Sequence, residues 1–176
     1  MWLLKFNTVI VMFYFILAFV LLAIDQVTKH LTTIYLSVYE SFSFIEGVLS
    51  FTHCHNTGGP WSLFDGVPVM FIIATFLIFI IEILYFVKHP LKHGLAKLSC
   101  TLINAGAIGN LIDRIFRGYV VDMIEVKFID YPVFNFADCC IVVGAIIMCI
   151  YVIFIEGKDA QKSNEVESDG KYNNCL

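Results

Sequence analysis

Apolar residues in this chain run in four long blocks rather than alternating with polar ones. Residues 6–24 hold 19 positions without a charge, and residues 66–81 hold 16 before Glu82 interrupts and residues 83–87 resume. Residues 98–112 hold 15 and residues 139–155 hold 17. A helix needs roughly 20 apolar residues to cross the hydrocarbon, with about 17–25 tolerated, so each block predicts a transmembrane helix. The third block is short and borrows residues 94–97, with Lys97 snorkelling to the interface. The expected helices cover 6–24, 66–87, 95–112 and 138–155, in a single domain spanning residues 1–155. Residues 156–176 are polar and aromatic-poor, which predicts a disordered tail. Two connecting stretches, 43–52 and 119–128, are rich in Val, Ile and Phe, partly alternating, and bounded by Gly or Pro. They predict strands. The fold class is an all-α integral membrane protein of four transmembrane helices with a small β-rich element on one face. The edge of such a sheet could pair with an extended peptide.

Composition points the same way: 59% of residues are hydrophobic and 15% charged, with a mean hydropathy of +0.82, where a soluble domain carries about 25% charge. The net charge of −4 says little, because many of the acids lie in the tail. Four crossings put both termini and the link between helices two and three on one side. That side holds Lys5, Lys88, Lys92, Lys97, Lys158, Lys162 and Lys171; the other holds Lys29, Arg114, Arg117 and Lys127. The imbalance places the termini in the cytoplasm. Lys5 before an apolar run superficially resembles a cleaved leader, but no small-x-small site precedes Asp25 and cleavage would leave an odd number of spans.

The polar motifs all fall on the outer face of this topology. Asp25-Gln-Val-Thr-Lys29 closes helix one, and Asn56-Thr-Gly-Gly-Pro-Trp61 precedes helix two. Asn110-Leu-Ile-Asp113-Arg114 closes helix three, Asp122 follows, and Asn135-Phe-Ala-Asp138 opens helix four. Unrelated interfacial residues would be shared between both faces, whereas a single site gathers them on one. Each piece also has a plain structural reading. Asp25 with Lys29, and Asp113 with Arg117, are i,i+4 pairs that serve as helix-end ion pairs, and Asp138 is placed to cap helix four. Asp122 lacks such a reading, because it sits in the apolar run Val120-Val121-Asp122-Met123-Ile124. Two acids 16 residues apart near a membrane boundary fit an aspartic-protease pair, in which two carboxyls share one proton to activate water.

Other clusters carry less. His53-Cys54-His55 has metal-ligating side chains but no matching ligand set elsewhere, and reads as surface structure. Cys139 and Cys140 read as small packing residues, and the six cysteines form no disulfide framework. No metal or cofactor is called for, and no surface suits nucleic acid. The rival reading from another class is a small transporter or proton relay using Glu82, Asp113 and Asp138. Glu82 alone lies well inside a span, where it would snorkel or pair with Lys88.

The ordered motifs resemble the lipoprotein signal peptidase family, or signal peptidase II, the membrane aspartic proteases of bacteria. The resemblance rests on Asp25-Gln-x-x-Lys29, Asn56-x-Gly58-x-x-Trp61, Gly109-Asn110-x-x-Asp113-Arg114-x-x-x-Gly118-x-Val120-Val121-Asp122 and Phe134-Asn135-x-Ala137-Asp138. It implies Asp122 and Asp138 as the catalytic pair. Asn110, Asp113, Arg114 and Asn135 become its polar shell, Asn56 and Gly58 substrate-contacting or supporting residues, and Asp25 and Lys29 stabilisers of the site. It further implies lipid-modified prolipoprotein substrates cut just before the lipidated Cys, no cofactor, contact with membrane lipids, and a monomer in the bacterial inner membrane with its active site on the outer face. An inactive homologue serving as a scaffold is disfavoured by the presence of both acids. Three departures stand out, one of them a rather short link between the two acids. Gly59-Pro60 replaces the family's small residues, implying a stiffer loop, and Met123 replaces its usual Phe, implying an altered lipid or side-chain pocket.

Overall fold

The computed structural model describes residues 2–59, 66–91 and 93–156, with side chains from residue 9 onward. Helix α1 (Trp2–Tyr35) is followed by strands β1 (Ser41–Ile45) and β2 (Leu49–Asn56), then helices α2 (Pro68–Lys88) and α3 (Gly94–Phe116). Strand β3 (Val120–Val126) and helix α4 (Phe136–Tyr151) complete the order, and α4 runs into one π-type turn, Val152–Glu156. Each helix is long and apolar enough to cross a membrane. Pro60 and Trp61, Lys92 and the tail beyond Glu156 lie outside the described residues.

Helix α3 is the hub, packing on α1, α2, α4 and β3. Apolar side chains gain nothing by leaving lipid for one another, so membrane helices associate through small residues that let backbones approach. Ala96, Ser99, Ala105, Gly106 and Gly109 supply that surface on α3. A Cβ on Gly106 would collide with the Ala137 carbonyl oxygen of α4, and one on Gly144 would lie 2.8 Å from Ile103 Cγ1. The hydroxyl of Ser99 donates to the Gly144 carbonyl at 2.7 Å, locking α3 to α4. Helix α2, by contrast, has no buried residue.

The sequence-predicted helices are corrected at their ends. Helix α1 does not close at 24 with its polar motif; it continues to Tyr35. Asp25, Lys29 and Thr32 follow i,i+4,i+7 spacing and are all buried; Lys29 reaches Asn110 and Asp113 on α3 and Asp25 the Ala137 N–H of α4, while the Thr32 hydroxyl donates to the Thr28 carbonyl of its own helix, so the motif continues the helix rather than ending it. Helix α3 likewise passes 112 and contains Asp113 and Arg114. Helix α4 starts at Phe136, and its N-cap is Asn135 rather than Asp138.

The three strands form one antiparallel sheet in the order β1-β2-β3. The strand expected over 43–52 is in fact two arms of a hairpin turning at Gly47, whose φ of +70° suits a residue without a Cβ. The strand expected over 119–128 is β3. After β3 the chain folds back, and Ile124 and Phe134 exchange backbone hydrogen bonds of 2.7 and 3.0 Å. That return delivers the start of α4 alongside β3.

Candidate active site

Asp122 reaches its place because β3 is anchored by its neighbours. Val120, Val121 and Met123 are buried apolar residues, and the tight turn from α3 passes through Gly118 at φ +80°. Asp122 is itself only 1% exposed. Asp138 enters from the first turn of α4 through a reciprocal capping box: the Asn135 side chain accepts from the Asp138 N–H at 3.0 Å, and Asp138 Oδ2 accepts from the Asn135 N–H at 3.1 Å. Both acids line one cavity of about 220 Å³ with Asn56, Asn110, Arg114 and Phe71.

Three asparagines tie the acids together, and hydrogen-bond logic fixes each amide. Asn135 Oδ1 is spent on the cap, so its Nδ2 donates to Asp122 Oδ1 at 2.6 Å and to Asn110 Oδ1 at 3.1 Å. Asn110 Oδ1 also accepts from Lys29 Nζ at 2.9 Å, leaving Asn110 Nδ2 to donate to Asp138 Oδ1 at 2.8 Å. Asn56 Oδ1 accepts from the backbone N–H groups of Gly58 and Gly59, at 3.2 and 2.7 Å, so its Nδ2 donates to Asp122 Oδ2 at 2.8 Å. Gly58 therefore supports the site through its backbone. Gly59 adopts φ +73°, and a Cβ there would lie 2.9 Å from Phe71.

Beneath this layer lies a fully buried ion cluster. Lys29 Nζ meets Asp25 Oδ2 at 2.9 Å and Asp113 Oδ2 at 3.0 Å, so with Asn110 all three ammonium donors are used. Asp25 Oδ1 accepts from the Ala137 N–H at 2.9 Å, and Asp113 Oδ2 accepts from the Val121 N–H at 3.2 Å. Arg117 Nε, at the edge of the cluster, lies 3.3 Å from Asp113 Oδ1 as an ion-pair partner, and that oxygen has no hydrogen bond among the described residues. Asp25 and Asp113 thus brace the segments just before Asp138 and Asp122. Gly109 leaves room for this arrangement, since a Cβ there would strike the Asp25 carboxylate. The Gly109→Ala variant should lose about 1–3 kcal/mol of stability through overpacking and most of its activity; its melting temperature in detergent, unchanged from wild type, would refute the tight fit.

The charges around the acid pair do not balance. Asp25, Asp113, Asp122 and Asp138 face Lys29, Arg114 and Arg117, four acids against three bases, so one shared proton makes the cluster neutral. Burial first, and then the nearby charge of Asp138, pushes the Asp122 carboxyl up to about 7, against the bonds from Asn56 and Asn135 that lower it. Arg114 lies 4.6 Å over the Phe71 ring in the field of Asp138 and Asp122. Its buried Nε has no hydrogen-bond partner among the described residues.

Every sequence-selected site residue falls in this assembly: Asp122 and Asp138 at the cavity, Asn56, Gly58, Asn110, Asn135 and Arg114 around it, and Asp25, Lys29 and Asp113 below. Glu82 stands apart and pairs with Asn104 rather than Lys88, accepting from its Nδ2 at 2.9 Å. Met123 does not enter the acid cavity. It lines a separate hollow against α1 with Leu31, Thr32 and Phe51, so its departure from the family pattern bears on sheet-to-helix packing. His53 is held by the Leu36 carbonyl through Nδ1 at 2.9 Å, and His55 stacks on Tyr119 at 3.7 Å. Sequence reasoning missed Phe71 and the loop residues Tyr131, Pro132 and Val133, which wall the cavity. They are apolar residues among many, and only Pro132 gave a local signal.

Comparison with known proteins gives the family of the chain. The family model for Signal peptidase (SPase) II matches residues 17–154. The lipoprotein signal peptidase of Enterococcus faecalis is 41% identical over 143 residues, covering 81% of this chain and 89% of that protein. The lipoprotein signal peptidase of Lactiplantibacillus plantarum is 39% identical over 140 residues, covering 80% and 93%. Two solved structures, each described as a bacterial membrane enzyme determined by the in meso method, superpose with TM-scores of 0.75 and 0.73 at 32% and 31% identity. They cover 80% and 81% of this chain, and 87% and 93% of their own. The chain belongs to the signal peptidase II family.

Proposed function

We propose that this protein is a membrane-embedded aspartic endopeptidase that removes signal peptides from diacylglyceryl-modified bacterial prolipoproteins, cutting the bond just before the lipidated Cys. The observation that carries the reading is the meeting of Asp122 and Asp138 at one cavity, bridged by Asn110 and Asn135. Family membership favours it over a transporter or an inactive scaffold. The sequence assigns seven lysines to the side of the termini and four basic residues to the other, which supports cytoplasmic termini and an outward-facing cavity, with the enzyme acting as a monomer.

The chemistry follows from two carboxyls holding one proton. The ionised carboxyl takes a proton from water as the water oxygen bonds to the scissile carbonyl carbon. The protonated carboxyl donates to the carbonyl oxygen, giving a gem-diol. A proton then passes to the amide nitrogen, the C–N bond breaks, and the products are a carboxyl-terminal signal peptide and a lipidated Cys with a free amine. Arg114, which lines the cavity, supplies guanidinium hydrogen-bond donors to the substrate backbone. A site at the membrane boundary lets the diacylglyceryl group stay among the acyl chains while the bond meets water, so lipid binding positions the bond for attack.

The test is cleavage of lipidated and unlipidated prolipoprotein by detergent-purified enzyme, with product masses locating the cut. Cleavage just before Cys, and only of the lipidated form, is expected; a lipidated substrate left intact would sink the proposal. In the same assay kcat/KM should fall about tenfold per pH unit above about 7, as the shared proton leaves. Stability should move in the same direction. The Asp122 carboxyl is raised in the folded state from its ordinary 3.8 to about 7, so between those values the folded form binds more protons than the unfolded one and rising pH destabilises it.

A further inference from the structure

Arg114 lines the acid cavity with Asp122 and Asp138, yet it makes no ion pair among the described residues, and its buried Nε has no hydrogen-bond partner there. A guanidinium so placed would ordinarily close a two-pronged pair with a carboxylate, the strongest hydrogen bonding open to it. The acids have room for it. Each of their four oxygens accepts from one described donor, and a carboxylate oxygen carries two lone pairs. What holds the guanidinium instead is a ring: its central carbon lies 4.6 Å from the centroid of Phe71.

Phe71 is itself fixed. It stands in the first turn of α2, a helix with no buried residue that sends no other side chain to the cavity wall. The Cζ edge of the ring presses on Gly59, where an added Cβ would lie 2.9 Å away. The Gly59 N–H donates to Asn56 Oδ1, and Asn56 Nδ2 donates to Asp122 Oδ2. One edge of the ring therefore rests on the loop that clamps Asp122, while its face carries Arg114. Attraction through a ring face is worth about 0.5–2 kcal/mol and consumes no N–H donor, so the guanidinium stays available to a substrate carbonyl.

We propose that Phe71 is a positioning residue: its ring holds Arg114 beside the two acids rather than on them, which leaves the guanidinium free for the substrate. This rests on the proposed function. Without the ring, Arg114 falls onto Asp138 or Asp122, and its donors are spent there. An arginine beside an aspartate extends the charged carboxylate downward by about 1–3 pH units, so the shared proton leaves at lower pH. The other charged and titratable groups around the pair are Lys29 with Asp25 on α1, Cys54 on β2, Asp113 with Arg117 on α3, and Cys139 on α4. Ion pairs hold Lys29 and Arg117 in place, and Arg114 is the cation that the ring carries.

The experiment is a pH profile of kcat/KM on a lipidated prolipoprotein. It compares wild type, Phe71→Leu, and a protein whose Phe71 ring is fluorinated at both meta carbons, which keeps the shape but drains negative charge from the face. Phe71→Leu should move the alkaline limb down by about 1–3 pH units, so that roughly tenfold or more of the turnover at about pH 7 is lost and returns as the pH is lowered. The fluorinated ring should move the limb the same way by a smaller step. In an Arg114→Gln background the Leu substitution should move the limb no further, since no cation is left to displace. A uniform loss at every pH, a limb unmoved by either change of the ring, or a shift that persists without Arg114 would each overturn the assignment. Where Phe71→Leu fails to fold, or Arg114→Gln leaves no turnover to profile, the fluorinated protein decides. Wild type leaving the lipidated substrate intact removes the proposed function; wild type cleaving it, with a limb indifferent to the ring, removes this inference alone.

Discussion

Replacing Asp122 or Asp138 by Asn lowers kcat by at least about 10³-fold, the upper range for loss of general acid–base catalysis, in a protein that still folds and binds substrate. Asparagine keeps the shape but cannot shuttle a proton. The two losses should not add, because either change removes the shared proton, so the double variant should match the single ones. The side chains respond differently in structure. Asp122 accepts from two amide groups, Asn56 and Asn135, so an Asn there sets at least one donor against another. Asp138 accepts from Asn110 and from the Asn135 backbone, so its replacement disturbs the helix cap as well. Turnover above about a tenth of wild type in either variant would remove that acid from the mechanism.

The largest stability effect belongs to Lys29. It is fully buried and holds Asp25, Asp113 and Asn110 at once. Lys29→Met leaves the buried Asp25 carboxylate without a counter-charge and Asp113 with Arg117 alone, and breaking a buried pair costs about 3–5 kcal/mol. It also removes one of the two donors to Asn110 Oδ1, leaving Asn135 Nδ2 alone to orient the amide that serves Asp138. The triple variant Lys29→Met, Asp25→Asn, Asp113→Asn should recover much of the melting temperature but not the full turnover, because the charge imbalance is gone while the carboxylates that brace the Ala137 and Val121 N–H groups are not restored. A Lys29→Met protein melting within about 1 kcal/mol of wild type would show that the cluster is solvated in solution, since an exposed pair contributes no more than that.

The spans and the two acids were legible because each depends on a local signal: block length against bilayer thickness, and an acid inside a β-branched run. Membership of one site was legible because the polar motifs share one face of the predicted topology. What stayed hidden depends on packing between distant segments. Asp25 and Lys29 look like a helix end until Gly109 and Ala137 bring α3 and α4 against them. The hairpin inside 43–52 was hidden because both of its arms are β-formers and only Glu46-Gly47 separates them. The capping role of Asn135 was masked by Asp138, an equally good cap by residue type, and the fold-back at Phe134 decided between them. Glu82 was visible as an intramembrane acid, but its partner Asn104 came from the crossing of α2 with α3, which no single-segment pattern encodes.

Asn135 joins two properties that enzymes usually keep apart. Its backbone N–H and side-chain carbonyl close the first turn of α4, while its amide nitrogen clamps Asp122. Loosening that single turn would therefore disconnect the two acids while every span stayed in the bundle.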